Sequence, residues 1–263
     1  MALSVRQRER TSRGIQYAIL IIAVLAAAFF ADWQTIYLKF FNPEVIAAQF
    51  PAVITTALVN TLIYTALGFV LALSLGILLA LMKISSVAPY RWIATAYIEL
   101  FRGVPALLVF LAFGYAVPYA FGIRMDTYVT VMLALGIVES AYIAETIRAG
   151  LQAVPKGQYE AARSLGMSHT RAMVTIVIPQ AFRIILPPLT NEIILMTKDS
   201  SLIYILGLTA SQYELTKFGR EAISNPEAGL TPLVVAGVCY LVITVPLGLL
   251  ARRFESRTAK IKK

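Results

Sequence analysis

The sequence predicts an all-α protein that crosses a membrane about six times, and three observations carry that reading. Hydrophobic residues make up 59% of its 263 positions and charged residues only 14%, a balance far from that of a soluble domain. The apolar residues gather into six stretches of about twenty, the length a helix needs to cross the hydrocarbon. The lysines and arginines fall mainly on alternate sides of those stretches, as the positive-inside rule requires. Continuous apolar runs favour helices, because barrel strands show short alternating segments.

Residues 1–14 form a basic head, with Arg6, Arg8, Arg10 and Arg13. The first span runs from Ile15 to Ala31. Its basic flank and Ala26-Ala27-Ala28 also fit a cleavable signal peptide, and removing it leaves the direction of every later span unchanged. Residues 32–56 carry Trp33, Tyr37, Phe40, Phe41 and Phe50, which suits an interfacial segment and equally a plain outer loop. The remaining spans, within a core of residues 57–251, are read as Ala57 to Met82, Trp92 to Pro118, Tyr128 to Ala149, Phe182 to Leu208 and Leu230 to Ala251. Residues 252–263 form a second basic tail.

Both termini are placed in the cytoplasm. The inner side then also receives Lys83, Arg91, Arg102, Arg148, Lys156, Arg163, Arg171, Arg183 and the tail residues Arg252, Arg253, Arg257, Lys260, Lys262 and Lys263, which brings it to 18 of the 23 basic residues. Only Lys39, Arg124, Lys217 and Arg220 fall outside, and Lys198 lies within a span. The net charge of +9 thus reports sidedness rather than a nucleic-acid partner. One cysteine, Cys239, and one histidine, His169, offer neither an internal disulfide nor a metal site. No internal repeat or linker divides the chain.

Between the fourth and fifth spans, on the basic side, Val154-Pro155-Lys156-Gly157-Gln158-Tyr159 leads into Glu160-Ala161-Ala162-Arg163-Ser164-Leu165-Gly166. The spacing predicts a short helix over Glu160 to Leu165, ended by Gly166 in a left-handed conformation. Ser168 then caps a second helix running toward Pro179. The expected shape is helix, sharp bend and helix, parallel to the membrane. Any inner loop can hold a glycine-ended helix, and Glu-Ala-Ala alone is a weak signal.

Ionisable residues inside spans are functional candidates because burying them in lipid is expensive. Glu99 and Arg102 are expected to share a helix face and partly neutralise each other, and Gly103 and Pro105 to kink or break that helix beside a cavity. Glu145 and Arg148 read as a second structural pair, near an inner gate. Glu139 has no basic residue three or four positions away. It fits either a contact to the ammonium or cationic side chain of a substrate, with Ser140 and Tyr142 nearby, or a hydrogen bond to another helix. In the fifth span Asn191 and Lys198 share one face while Glu192 and Asp199 share another. Lys198 suits a substrate carboxylate, a subunit interface or helix packing. Asn60 and Thr61 are weaker candidates for the substrate pathway, since such residues often serve interhelical hydrogen bonds.

The full spacing Glu160-Ala161-Ala162, Gly166, Ile176, Ile178 and Pro179 resembles the EAA loop of ABC importer permeases, with isoleucine where leucine usually precedes the proline. Glu99 to Pro105, Ala141 to Glu145, Val154 to Gln158 and Lys198 to Leu202 look like segments of the polar amino acid branch of that family. The resemblance implies a type I importer (MetI-like) core of five helices plus an extra N-terminal helix. It further implies a bacterial cytoplasmic membrane and a coupling helix docked on a separate ATPase, two copies of which hold ATP and Mg. An extracytoplasmic binding protein would deliver the amino acid, and a second permease subunit, identical or similar, would complete the pore. The chain itself has no glycine-rich loop ending in Gly-Lys-Ser/Thr, so no ATP or other cofactor is expected on it, and no catalysis. A proton-coupled secondary transporter remains the alternative. It would explain the buried acids and leave the loop spacing without a reason.

Overall fold

A computed structural model describes the backbone of residues 5–261 and the side chains of residues 9–256. The side chains of Arg6, Arg8, Arg257, Lys260, Lys262 and Lys263, assigned above to the inner face, lie outside the described residues. Helix α1 (Val5–Phe30) is followed by two short helices, α2 (Trp33–Phe40) and α3 (Pro43–Gln49). Next come α4 (Val59–Ile84), α5 (Ala88–Gly103), α6 (Ala106–Leu111), α7 (Val117–Phe121) and α8 (Thr127–Gln152). Helices α9 (Lys156–Ser164), α10 (His169–Ala172), α11 (Ile178–Asp199), α12 (Leu215–Ala222) and α13 (Thr231–Ile261) complete the chain. Among the described residues there is no strand.

The spans are longer and less uniform than the apolar runs suggest. A π-helical turn at Val53–Leu58 joins α4 without a break, so the second span begins at Val53 rather than Ala57. The fifth begins at His169 rather than Phe182, because α10, a π-helical turn at Met173–Val177, α11 and a 3-10 turn at Ser200–Ile205 run together over 37 residues. At 1.5 Å per residue that is about 55 Å, well beyond a hydrocarbon core of about 30 Å. The third span is not one rod. Helices Ala88–Gly103 and Ala106–Phe121 meet at 101°, with extended backbone at Val104 and Pro105 opening α6. Proline forces the residue before it out of the helical region, so the expected break falls where Gly103 and Pro105 put it.

Helices α4 and α8 form the most extensive pair, and the core around them includes Tyr64, Leu79, Ile98, Phe110, Leu135 and Ile143. Close approach depends on Gly76: a Cβ there would lie 2.7 Å from Ile143 Cγ2 and 3.3 Å from the Ala144 backbone nitrogen. A second cluster joins Val53, Ala57, Leu215, Val235, Ala236 and Cys239. By contrast, no residue in the apolar window of α1 is buried against the rest of the chain. Trp33–Phe40 and Pro43–Gln49 are helical rather than loop: Asp32 caps α2 by accepting from the Thr35 N–H, and Asn42 caps α3 ahead of Pro43. The Leu230 N–H donates to the Lys39 carbonyl at 2.7 Å, pinning α2 to the start of α13.

Candidate functional site

Two places in this frame gather the candidate residues. The first is a cavity of about 210 Å³ at the bend between α5 and α6, lined by Val104, Ala106, Val138, Glu139, Tyr142, Glu192, Leu195 and Asp199. The broken helix supplies Val104 and Ala106, α8 supplies three residues within five positions, and α11 supplies positions spaced three and seven apart, one helix face. Glu139 is only 3% exposed, and its carboxyl is close enough to that of Asp199 on the opposite helix for the two to interact electrostatically. Thr146 Oγ1 donates to Glu192 Oε1 at 3.2 Å. Arg102 stacks over the Tyr142 ring at 5.6 Å. It is also near enough to Glu192 to interact with it electrostatically. At about 30 Å³ per water, the space is large enough for several waters beside these carboxyls.

Several expectations change. Glu99 and Arg102 form no ion pair among the described residues; both are exposed, and Arg102 turns to Tyr142 instead. Ser140 is buried away from the cavity, bonded to the Tyr97 hydroxyl at 2.9 Å and to the Ile137 carbonyl. The two faces of α11 separate: Glu192 and Asp199 enter the cavity, while Asn191 and Lys198 are exposed on another side. Lys198 is therefore not a cavity residue. Asn60 and Thr61 also lie elsewhere. The Asn60 amide donates to the carbonyls of Ser211 and Tyr213 at 2.8 and 3.0 Å, and Thr61 Oγ1 accepts from the Leu215 N–H. With the Tyr64 hydroxyl on the Gln212 carbonyl, they hold residues 211–215 onto α4. Glu192 was seen in sequence only as the face-mate of Asp199. The signal for it was that seven-residue spacing, which the Asn191–Lys198 pair matched equally.

The second place is the loop after α8. Helix α9 ends at Gly166, whose φ is +84°. The Met167 N–H returns to the Ala162 carbonyl and the Gly166 N–H to that of Arg163, at 3.2 and 3.0 Å, which is a Schellman closure. Ser168 Oγ accepts from the Arg171 N–H and opens α10. Tyr159 and His169 meet edge to face across the bend, with 3.3 Å between hydroxyl and Nδ1. Helix, bend and helix thus form as expected, but the second arm continues into the fifth span rather than lying as a separate helix. Ile176 is half-buried in its π-helical turn and Pro179 follows that turn after Ile178, inside the continuous helix. The two alanines differ: Ala162 is buried toward the bundle while Ala161 and Glu160 are exposed. Behind the loop lies a cavity of about 680 Å³ between Ile84, Leu151, Val154, Tyr159, Glu160 and Met173.

Glu145 and Arg148 do pair, with Arg148 Nε and Nη2 at 2.9 and 2.6 Å from Oε2. Lys83 of α4 takes the other oxygen. Outside the spans, Glu214 is fully buried where it caps α12. Burial pushes its carboxyl up to about 7, against the opposing pull of the Thr216 and Lys217 N–H groups and the Tyr240 hydroxyl.

Comparison with known proteins agrees with this architecture. Residues 72–260 match the family described as binding-protein-dependent transport system inner membrane component. The probable glutamine ABC transporter permease protein GlnM of Bacillus subtilis (strain 168) is 39% identical, covering 75% of this chain and 91% of that protein. The arginine transport system permease protein ArtQ of the same strain is 34% identical over 78% and 91%. A chain from a crystal structure of an amino acid ABC transporter with histidines superposes with a TM-score of 0.73 at 37% identity, covering 81% of this chain and 97% of that one. On the extent of these matches, the chain belongs to the family of inner membrane components of binding-protein-dependent transport systems.

Proposed function

We propose that this chain is the permease subunit of an ATP-driven importer in a bacterial cytoplasmic membrane, passing a polar amino acid inward by alternating access. The observation that carries the reading is the loop between α8 and α11. A rigidly closed bend presents Glu160 and Ala161 outward at the junction of two spans, where a docked subunit would move both. Two partner ATPase subunits would hold ATP and Mg, and a binding protein on the opposite face would deliver the cargo. Both termini lie on the ATPase side in this reading, as the distribution of basic residues supports. Lys198 and Asn191, exposed within a span, would be costly against lipid. That cost supports a second permease subunit closing over them in a two-fold pore.

The 210 Å³ cavity is the proposed cargo passage. Glu139, Glu192 and Asp199 suit an ammonium group, and Arg102, beside Tyr142, suits a carboxylate. Relatives named for glutamine and arginine transport support an amino acid cargo. The test is uptake into proteoliposomes containing the permease with and without its ATPase. Transport that needs the ATPase and survives a proton ionophore is expected. Transport that collapses with the ionophore and ignores loss of the ATPase would instead make the Glu139–Asp199 pair a proton site.

A further inference from the structure

The coupling loop is covalently continuous with α8 and α11 but not with α4, which reaches α5 through Ser85–Val87. If α4 is to follow the loop, something must tie its inner end. Apolar contact between α4 and α8 reaches Leu79, Ala80 and Met82 on one helix and Ile147 and Leu151 on the other. Beyond it, Ile84 and the α9 residues Tyr159 and Glu160 line the 680 Å³ cavity, and the polar link between the inner ends of α4 and α8 is a chain of charged-group hydrogen bonds. Lys83, in the last turn of α4, reaches Glu145 Oε1 at 2.5 Å. Glu145 Oε2 is gripped by Arg148 through Nε and Nη2. Arg148 Nη1 then donates to Gln152 Oε1 at 2.6 Å, and Gln152 is the last residue of α8, directly before the loop.

The three charged side chains are between 17% and 29% exposed, which shields their bonds from the full screening that weakens surface pairs. Both carboxylate oxygens are used, and the arginine holds two partners at once, so the chain has one geometry. We propose that Lys83, Glu145, Arg148 and Gln152 form a strap that makes the inner end of α4 move with the coupling loop. They are positioning residues for transport, with no contact to cargo, and the proposal rests on the ATP-driven reading above.

The experiment measures amino acid imported per ATP hydrolysed, with permease, ATPase and binding protein reconstituted together, alongside thermal unfolding of the complex. Lys83→Met is expected to lower that ratio about fivefold, the scale of a coupling energy near the low end of the usual range, while Lys83→Arg keeps most of it. Glu145→Gln should match Lys83→Met, and combining the two should cost little more than either. Gln152→Ala, whose side chain is exposed, should lower the same ratio without changing the unfolding temperature, which keeps the test sound if Lys83→Met assembles poorly. An unchanged ratio in Lys83→Met or in Gln152→Ala overturns the strap, as does a Lys83→Arg variant as impaired as Lys83→Met. Wild-type uptake that ignores the ATPase would overturn the ATP-driven reading instead, and the two failures are told apart by that control.

Discussion

Replacing Gly166 tests the coupling loop most directly. Its φ of +84° lies where an L side chain costs about 1–2 kcal/mol. A Cβ built there meets nothing within 4 Å, so that intrinsic strain is the whole penalty and the bundle is not disturbed. Relaxing the strain means opening the Schellman closure, two hydrogen bonds worth about 0.5–1.5 kcal/mol each. The closed and opened bends then become comparable in free energy, and a partner that recognises only the closed form sees its affinity reduced by the fraction that remains closed. With the two forms comparable, between about a half and a fifth of the molecules keep the closed bend, and Gly166→Val is therefore expected to weaken ATPase binding, measured by titration onto detergent-solubilised permease, about two- to fivefold and to cut uptake in parallel. Gly166→Asn should retain most of both, since asparagine tolerates the left-handed region. Wild-type binding and uptake in Gly166→Val, or equal damage from Val and Asn, would refute the reasoning.

Glu139→Gln keeps the shape of the cargo cavity but removes a charge, and should alter cargo selection in a competition assay of uptake, with cationic amino acids losing most; an unchanged selectivity profile would return Glu139 to a structural role. Asn60→Ala strands the Ser211 and Tyr213 carbonyls and should destabilise the protein by about 1–3 kcal/mol, read by thermal unfolding, with cargo selectivity unaffected. Glu214 contributes a pH dependence. Its folded pKa of about 7 lies above the ordinary 4.5, so the protonated form is favoured by folding. Its stabilising contribution is full below about pH 4.5 and is lost as pH rises to about 7, on the order of 3 kcal/mol across that window. Glu214→Gln should flatten that part of the stability profile, and parallel profiles for the two proteins would contradict it.

Much of the fold was legible because bilayer physics constrains composition so tightly. Six apolar stretches and a Val-Pro dipeptide after Gly103 are local signals: five of the stretches form long apolar helices and the third forms the pair broken at that dipeptide. The loop from Glu160 to Pro179 was legible for the same reason: a left-handed glycine and a serine cap act within a few residues. Helix ends were less legible, since a span that carries on beyond the hydrocarbon, as α11 does back to His169, leaves no mark in hydropathy.

The sequence by itself determined the class of this protein, the break in the third span and the shape of the coupling bend, because all of these depend on composition or on near neighbours along the chain. Only the tertiary structure decided which polar residues share a space. Helical periodicity showed that Glu192 and Asp199 share a face, as do Asn191 and Lys198, but rotation of α11 about its axis is set by packing against α8 and α13. That packing turned the acidic face toward Glu139 and the other outward. Tertiary structure likewise assigned Asn60 to a loop about 150 residues away, took Arg102 from Glu99 to Tyr142, and added Lys83 to a pair that looked complete without it. Contacts between helices far apart in sequence depend on their mutual rotation and depth, and periodicity constrains neither.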